Sequence, residues 1–155
     1  MLIAVIASPT SPAQASVTTA NPCGQGYVLR SSVPVNQRWD WNKRNSRTFV
    51  APVATIYAYA HPQKGMKCAF LSVRAGWSQR TRIKHMILQM HWPTKPGQGS
   101  QDLYGRWFDA KEIETISQSS AGPVSASVRR CVTVVASIKI SSDLGYSGYS
   151  DMAAC

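Results

Sequence analysis

Val53-Ala54-Thr55-Ile56-Tyr57-Ala58-Tyr59-Ala60 runs into His61-Pro62-Gln63-Lys64-Gly65-Met66-Lys67 and then into Cys68-Ala69-Phe70-Leu71-Ser72-Val73-Arg74. The outer two runs are rich in β-branched and aromatic residues, which suit a pleated, half-buried surface. The middle run carries Pro62 and Gly65, which punctuate a chain as a turn. The stretch therefore reads as a β-hairpin with a cysteine at the start of its second strand. The rest of the chain is read as further strands added to this pair and tied by disulfides.

Upstream, Cys23-Gly24-Gln25-Gly26-Tyr27 opens the domain, and residues 27–32 alternate as a weak first strand that Pro34 should end. Downstream, Gly76-Trp77-Ser78 reads as a turn. Residues 82–92 alternate with period two, with Met86, Leu88 and Met90 on one face and Ile83, His85, Ile87, Gln89 and His91 on the other. This reads as a strand, with a helix as the alternative because Met, Leu, Lys and Gln are good helix formers. Residues 93–100 form a Pro/Gly loop, and residues 102–108 a strand anchored by Tyr104, Trp107 and Phe108. Residues 109–119 fit either a short helix capped by Asp109 or a short polar strand. Residues 122–128 and 131–140 are the last strong strands, with Arg129-Arg130 as the bend between them. Val132, Val134, Ala136, Ile138 and Ile140 share one face and should be core. The Ser/Gly/Tyr-rich tail from Ser141 should be irregular and pinned by Cys155. The expected fold is all-β, an antiparallel sandwich or small barrel of about seven or eight strands with two disulfides.

At 155 residues, one domain is expected. Residues 1–15 read as a signal peptide, because Leu2-Ile3-Ala4-Val5-Ile6-Ala7 is apolar and Ala13-Gln14-Ala15 is a small-residue cleavage site. No Lys or Arg precedes the apolar run, so Met1 is read as a start inside a longer signal, with a disordered Ala/Pro-rich cytosolic tail as the rival. Residues 16–22 are a leader and 23–155 a single β domain. No other apolar run is long enough to span a bilayer as a helix. Cys23, Cys68, Cys131 and Cys155 are widely spaced and lack the C-x-x-C pattern of zinc or redox sites. With export, they imply two disulfides. Three pairings are open; Cys23–Cys68 with Cys131–Cys155 is preferred, because each ties a terminal segment to a nearby strand.

The net charge of +10 is unevenly placed: residues 1–100 carry +11 and residues 101–155 carry −1. Part of the surface should attract polyanions such as wall polymers, anionic head groups or nucleic acid. Residues 36–47 concentrate this character, with Arg38, Lys43, Arg44 and Arg47 around Trp39 and Trp41 and a single Asp40. They show neither apolar period and read as a loop or irregular strand edge. The indoles would stack on flat rings while the cations meet phosphate or carboxylate. The plainer reading is one core Trp and a solvated basic face.

Catalytic chemistry is not legible. The chain contains no G-x-S-x-G, Walker loop or H-E-x-x-H. His85 and His91 stand six residues apart, and a metal would need a third ligand such as His61. Glu112 and Glu114, the one close carboxylate pair, sit in a polar segment with nothing to raise a pKa. A wall hydrolase would need two carboxylates facing one cleft. No cofactor, metal or catalytic residue is assigned.

The order Cys23-Gly-x-Gly-Tyr27, Ala54-Thr-Ile-Tyr57, Cys68-Ala69, Ala121-Gly-Pro-Val124, Cys131-Val132 and a final Cys155 resembles the spore-associated protein family, small secreted four-cysteine proteins of filamentous actinobacteria. The resemblance spans residues 21–155, with Ser120 where the family has an aromatic residue. It implies a secreted or spore-surface protein and carries over no catalytic residue. The expectation is a non-enzymatic, monomeric, cell- or spore-surface-associated β protein with a basic face. It would meet anionic polymers of the wall or spore surface, and nucleic acid without sequence specificity. The alternative is a secreted inhibitor or toxin-like protein acting on a hydrolase or a competing cell.

Overall fold

The computed structural model describes residues 21–43, 47–77, 83–91, 107–113 and 119–153, with the backbone alone at 107–113 and 150–153. Among the described residues eight strands are formed: β1 (Val28–Asp40), β2 (Thr48–His61), β3 (Met66–Val73), β4 (His85–His91), β5 (Trp107–Ile113), β6 (Ser120–Ser127), β7 (Val132–Lys139) and β8 (Leu144–Ala153). They make one sheet in the order β5-β4-β7-β8-β1-β2-β3-β6. Every neighbouring pair is antiparallel. The end strands β5 and β6 lie against each other, so the sheet curls into a nearly closed barrel. Of the two expected architectures, the small barrel is the one formed.

The hairpin of β2 and β3 holds as read, with Ala54 opposite Val73 and His61 opposite Met66. Its inward residues Ile56, Ala58, Ala69 and Leu71 are fully buried. Opposite them, Met86, Leu88 and Met90 of β4 and Val132, Val134, Ala136 and Ile138 of β7 are also fully buried. Small residues on β2 and β3 thus face long ones on β4, which lets an eight-stranded barrel fill its interior with side chains alone. Ile140, expected in the core, lies past the end of β7 and is half-exposed. Ile83 and His91 break the expected alternation: both are buried, Ile83 because it precedes the strand and His91 because the β4–β5 register shifts between Met90 and His91.

Three segments, read as a strand broken at Pro34, as open between helix and strand, and as an irregular tail, are strands. Pro34 does not end β1; it sits opposite Thr55 where β1 pairs with β2 alone, since pairing with β8 starts only at Gln37. A missing N–H is tolerated where a strand has one partner. Residues 109–113 take the strand alternative, as part of β5, because β4 pairs with them from Met86 to Met90. A short polar helix must be nucleated without such a partner. Residues 102–106 and 114–118, including Glu114, lie outside the described residues.

The third correction is the tail. Residues 144–153 form β8, which lies between β7 and β1 in the sheet. Its glycines are required by close approach. A Cβ on Gly148 would stand 2.6 Å from the carbonyl oxygen of Pro34 and 3.0 Å from Cα of Val35. A Cβ on Gly145 would run into the indole of Trp39.

One disulfide, Cys23–Cys68, is seen among the described residues where two were expected, with its Cα atoms 6.0 Å apart. It fastens the leader turn to the outer face of β3, and Asn21 adds bonds to the Cys23 amide and the Tyr27 carbonyl. Cys155, and with it the expected Cys131–Cys155 bridge, lies outside the described residues.

Candidate functional site

Of residues 36–47, 36–40 take the strand-edge alternative as the irregular end of β1, 41–43 turn away from it, and 44–46 lie outside the described residues. β1 continues through Asp40, and β2 begins at Thr48. The turn is built by Asp40. Its Oδ1 accepts the Asn42 amide at 3.1 Å, and its carbonyl accepts the Lys43 amide at 3.3 Å. The Trp41 amide donates to the Asp143 carbonyl at 2.8 Å, which joins this turn to the β7–β8 turn. Ser141 Oγ in turn accepts the amides of Asp143 and Leu144. Polar side chains closing on nearby amides in this way make rigid turns.

Of the six residues singled out in the sequence, Arg38, Lys43 and Arg47 are exposed at this end and Trp39 is half-buried. Trp41 is 61% exposed. Arg44 lies outside the described residues. The Trp39 and Trp41 rings meet edge-on, with centroids 5.0 Å apart and planes inclined by 61°. That is a favoured aromatic geometry, and it leaves one face of Trp41 open to solvent.

A register shift between Val35 and Gln37 decides which face these side chains take. Val33 and Val35 point into the barrel, and unbroken alternation would send Trp39 inward as well. Instead Gln37 pairs with Ser147, and Ser147 with Ser137, a neighbour of the buried Ala136 and Ile138. Gln37, and two residues on Trp39, therefore lie on the outer face. There Phe49, opposite Gln37, is 76% exposed.

The same register brings in a residue that sequence order hides. Trp39 sits opposite Gly145, Gly145 opposite Lys139, and Lys139 opposite His85. Because directly opposed residues share a face, Lys139 lies in one row with Trp39, whose indole covers the Gly145 between them. Arg47, exposed just before β2 begins, stands two residues before Phe49 at the same end. Lys84 is exposed at the same end, its amide donating to the Lys139 carbonyl at 2.8 Å. Sequence reading missed Phe49, Lys84 and Lys139. Only the alternation of Trp39, Trp41 and Phe49 could have hinted at a strand face.

Elsewhere the ionisable groups serve the fold. His61 Nδ1 accepts the Lys64 amide at 3.3 Å, closing the β2–β3 turn, and its ring meets Tyr27 edge-on at 5.4 Å. His91 Nε2 lies 3.2 Å from Gln89 Oε1. Lys67 is on the inner face of β3 at the opposite end of the barrel and only 4% exposed. Burial, helped by nearby Arg30, holds its ammonium below the usual lysine range. Burial, with Tyr57 adding to it, pushes the Tyr59 hydroxyl above its usual range. Asp40 and Asp143 are the acidic residues whose side chains are described, and the Asp40 carboxylate is engaged in the turn. Among the described residues no three His, Cys, Asp or Glu side chains gather as metal ligands, and no helix is long and apolar enough to cross a membrane. A shallow open groove runs over the outer face of β2 and β3, lined by Pro52, Thr55, Tyr57, Ser72 and Arg74.

Comparison with models of protein families, with curated proteins and with solved structures finds no match for this chain.

Proposed function

We propose that this chain is an exported, non-enzymatic β-barrel protein that attaches to a polyanionic surface, of the cell wall or spore, through the end of its β1–β2 hairpin. The observation that carries the reading is the pair Trp41 and Phe49, exposed to 61% and 76% beside the exposed cations Lys43 and Arg47, with Arg38 exposed on the inner row at the same barrel end. Leaving two large aromatic side chains in water forgoes about 1.5–3 kcal/mol each relative to full burial. Their clustering with like charges marks a surface that meets a partner. The export signal of residues 1–15, the order of motifs resembling the spore-associated proteins and a second bridge, Cys131–Cys155, complete the proposal.

The test has two parts. Fractionating a producing culture should recover the protein outside the cytoplasm, and recovery from cytoplasm alone would reject export. Titration against an anionic polymer at several salt concentrations should give a binding constant that falls steeply with salt. Arg38→Gln combined with Arg47→Gln should flatten that fall while the thermal midpoint stays put, because exposed charges contribute little to stability. A wild type with no salt-dependent binding would end the proposal.

A second reading is a protein inhibitor. It is favoured by Trp41 standing out from a turn pinned to Asp143, since a preformed anchor loses little entropy on binding. Inhibition of a secreted protease or glycosidase that disappears in Trp41→Ala would favour it over surface attachment.

A further inference from the structure

The charged end is more than a hairpin tip, because the register carries it across four strands. We infer that the outer face of β2, β1, β8 and β7 is a track for single-stranded nucleic acid, bound without sequence preference. This rests on the polyanion reading above and names its ligand.

Arg47 and Phe49 stand on or beside β2, Gln37 and Trp39 on β1, Gly145 and Ser147 on β8, and Ser137 and Lys139 on β7, in two adjacent rows. The Trp39 indole itself covers Gly145, and beside it lie Ser147 and Ser137, so an indole and two serines floor the path from the β2 side to Lys139. From the β2 cation to Lys139 is three strand spacings, about 14 Å. A single strand crossing it would find cations at both ends for its phosphates. It would also find open aromatic faces at Trp41 and Phe49 for its bases. Basic grooves with stacking aromatics are the general device for single strands, with footprints from about four nucleotides upward. Ring-free polyol phosphates would use the cations and leave the aromatics idle. A duplex, with its bases already stacked, would do the same. The two exposed aromatic side chains therefore favour unpaired bases over either.

The opposite end of the barrel is also basic, with Arg30, Lys64, Arg129 and Arg130 exposed, and serves as the control.

The experiment uses the full chain with fluorescently labelled oligothymidylates of about two to twelve nucleotides and an abasic phosphodiester of matched length. Duplex DNA and phosphatidylglycerol vesicles complete the panel. Affinity for oligothymidylate should rise up to about four nucleotides and then level off. The salt slope should approach −2 for three phosphate contacts, at about −0.7 each. Trp41→Ala should weaken oligothymidylate roughly 5- to 100-fold and leave the abasic chain unchanged. Lys139→Gln should reduce the slope by about 0.7 on the longer oligomers and not on the dinucleotide. Arg129→Gln with Arg130→Gln should do neither. Equal affinity for thymidylate and abasic chains overturns the inference and leaves the polyanion reading standing. So does indifference to Trp41→Ala or to Lys139→Gln. Binding to vesicles alone overturns it in favour of a lipid surface. Loss of all salt-dependent binding removes both. Each variant changes a surface side chain, and an unchanged thermal midpoint confirms that the comparison is between folded proteins.

Discussion

Gly148→Ala should destabilise the protein, although the usual effect of replacing glycine in a strand is the reverse. Removing glycine's extra unfolded-state freedom is worth roughly 0.5–1 kcal/mol in favour of alanine. Here the added methyl would lie 2.6 Å from the Pro34 carbonyl oxygen and 3.0 Å from Cα and Cγ2 of Val35. Ordinary contacts are at about 3.5 Å, so β1 must retreat by roughly 0.5–1 Å. The obstacles are mainly backbone, in a strand stiffened by proline and paired on its far side with β2. Overpacking of this kind costs about 1–3 kcal/mol. The net loss is then about 1–2 kcal/mol, or a thermal midpoint lower by roughly 2–8 °C for a chain of this length.

Gly145→Ala provides the contrast. Its methyl meets the far end of the Trp39 indole rather than backbone. The ring can swing away, so the stability loss should be smaller, but the Trp39–Trp41 contact should break and tryptophan emission should shift to the red. Urea unfolding of both variants with fluorescence detection measures the two effects together, and an unchanged slope against denaturant shows that only stability moved. If Gly148→Ala melts at or above the wild type, or if Gly145→Ala is the worse of the two, then β8 does not pack on β1 as described.

Two further outcomes follow from the fold. Cys23→Ala with Cys68→Ala opens a link between residues 45 apart in sequence. The chain-entropy relation makes that worth about 4 kcal/mol, to be read as the fall in unfolding free energy relative to the oxidised wild type; a loss under about 1 kcal/mol would mean that the leader turn is not held by this bridge. Lys67 gives a pH signature. Its ammonium is held below the usual range when folded, so between that lowered value and 10.5 the unfolded chain binds more protons and stability rises with pH. Its burial penalty is fully present below the lowered value. The raised Tyr59 acts in the other direction, losing its contribution as pH climbs from 10.0 through the folded value. In urea midpoints taken from neutral to alkaline pH, Lys67→Met should abolish the rise and keep the later fall; parallel profiles for the two proteins would refute the assignment.

The parts of the fold that were legible are those in which local composition and tertiary role agree. In β2 and β3, alternating Ala, Ile and Leu face the interior, Pro62 and Gly65 mark the turn, and the expected pairing followed. The same holds for β7, whose four alternating apolar residues are fully buried. Legibility failed where a strand's role contradicts its composition. β8 reads as a loop because Gly145 and Gly148 are small for the sake of Trp39 and β1, not for flexibility. β1 reads as broken because Pro34 falls where one ladder suffices. In both, the deciding fact is the neighbour, and a neighbour distant in sequence leaves no local mark.

The candidate site repeats this division more sharply. That residues 36–47 are basic and aromatic is composition, and composition is visible. That Trp39 faces outward is not. Strands have a period of two, so a single register shift moves every later side chain to the other face. Continuing the alternation of Val33 and Val35 would bury Trp39 and make the segment a core anchor with an incidental charge. The shift between Val35 and Gln37 reverses that. It turns Trp39 onto the row that holds Lys139, and it lines Gln37 up with Phe49. Pairing with β8 then fixes the reversed face, since Trp39 fits only over a glycine. The shift, Gly145 and the outward Trp39 are thus one device. A chain that lost the shift would keep its charge and its fold class, yet would no longer place aromatic rings and cations on one surface.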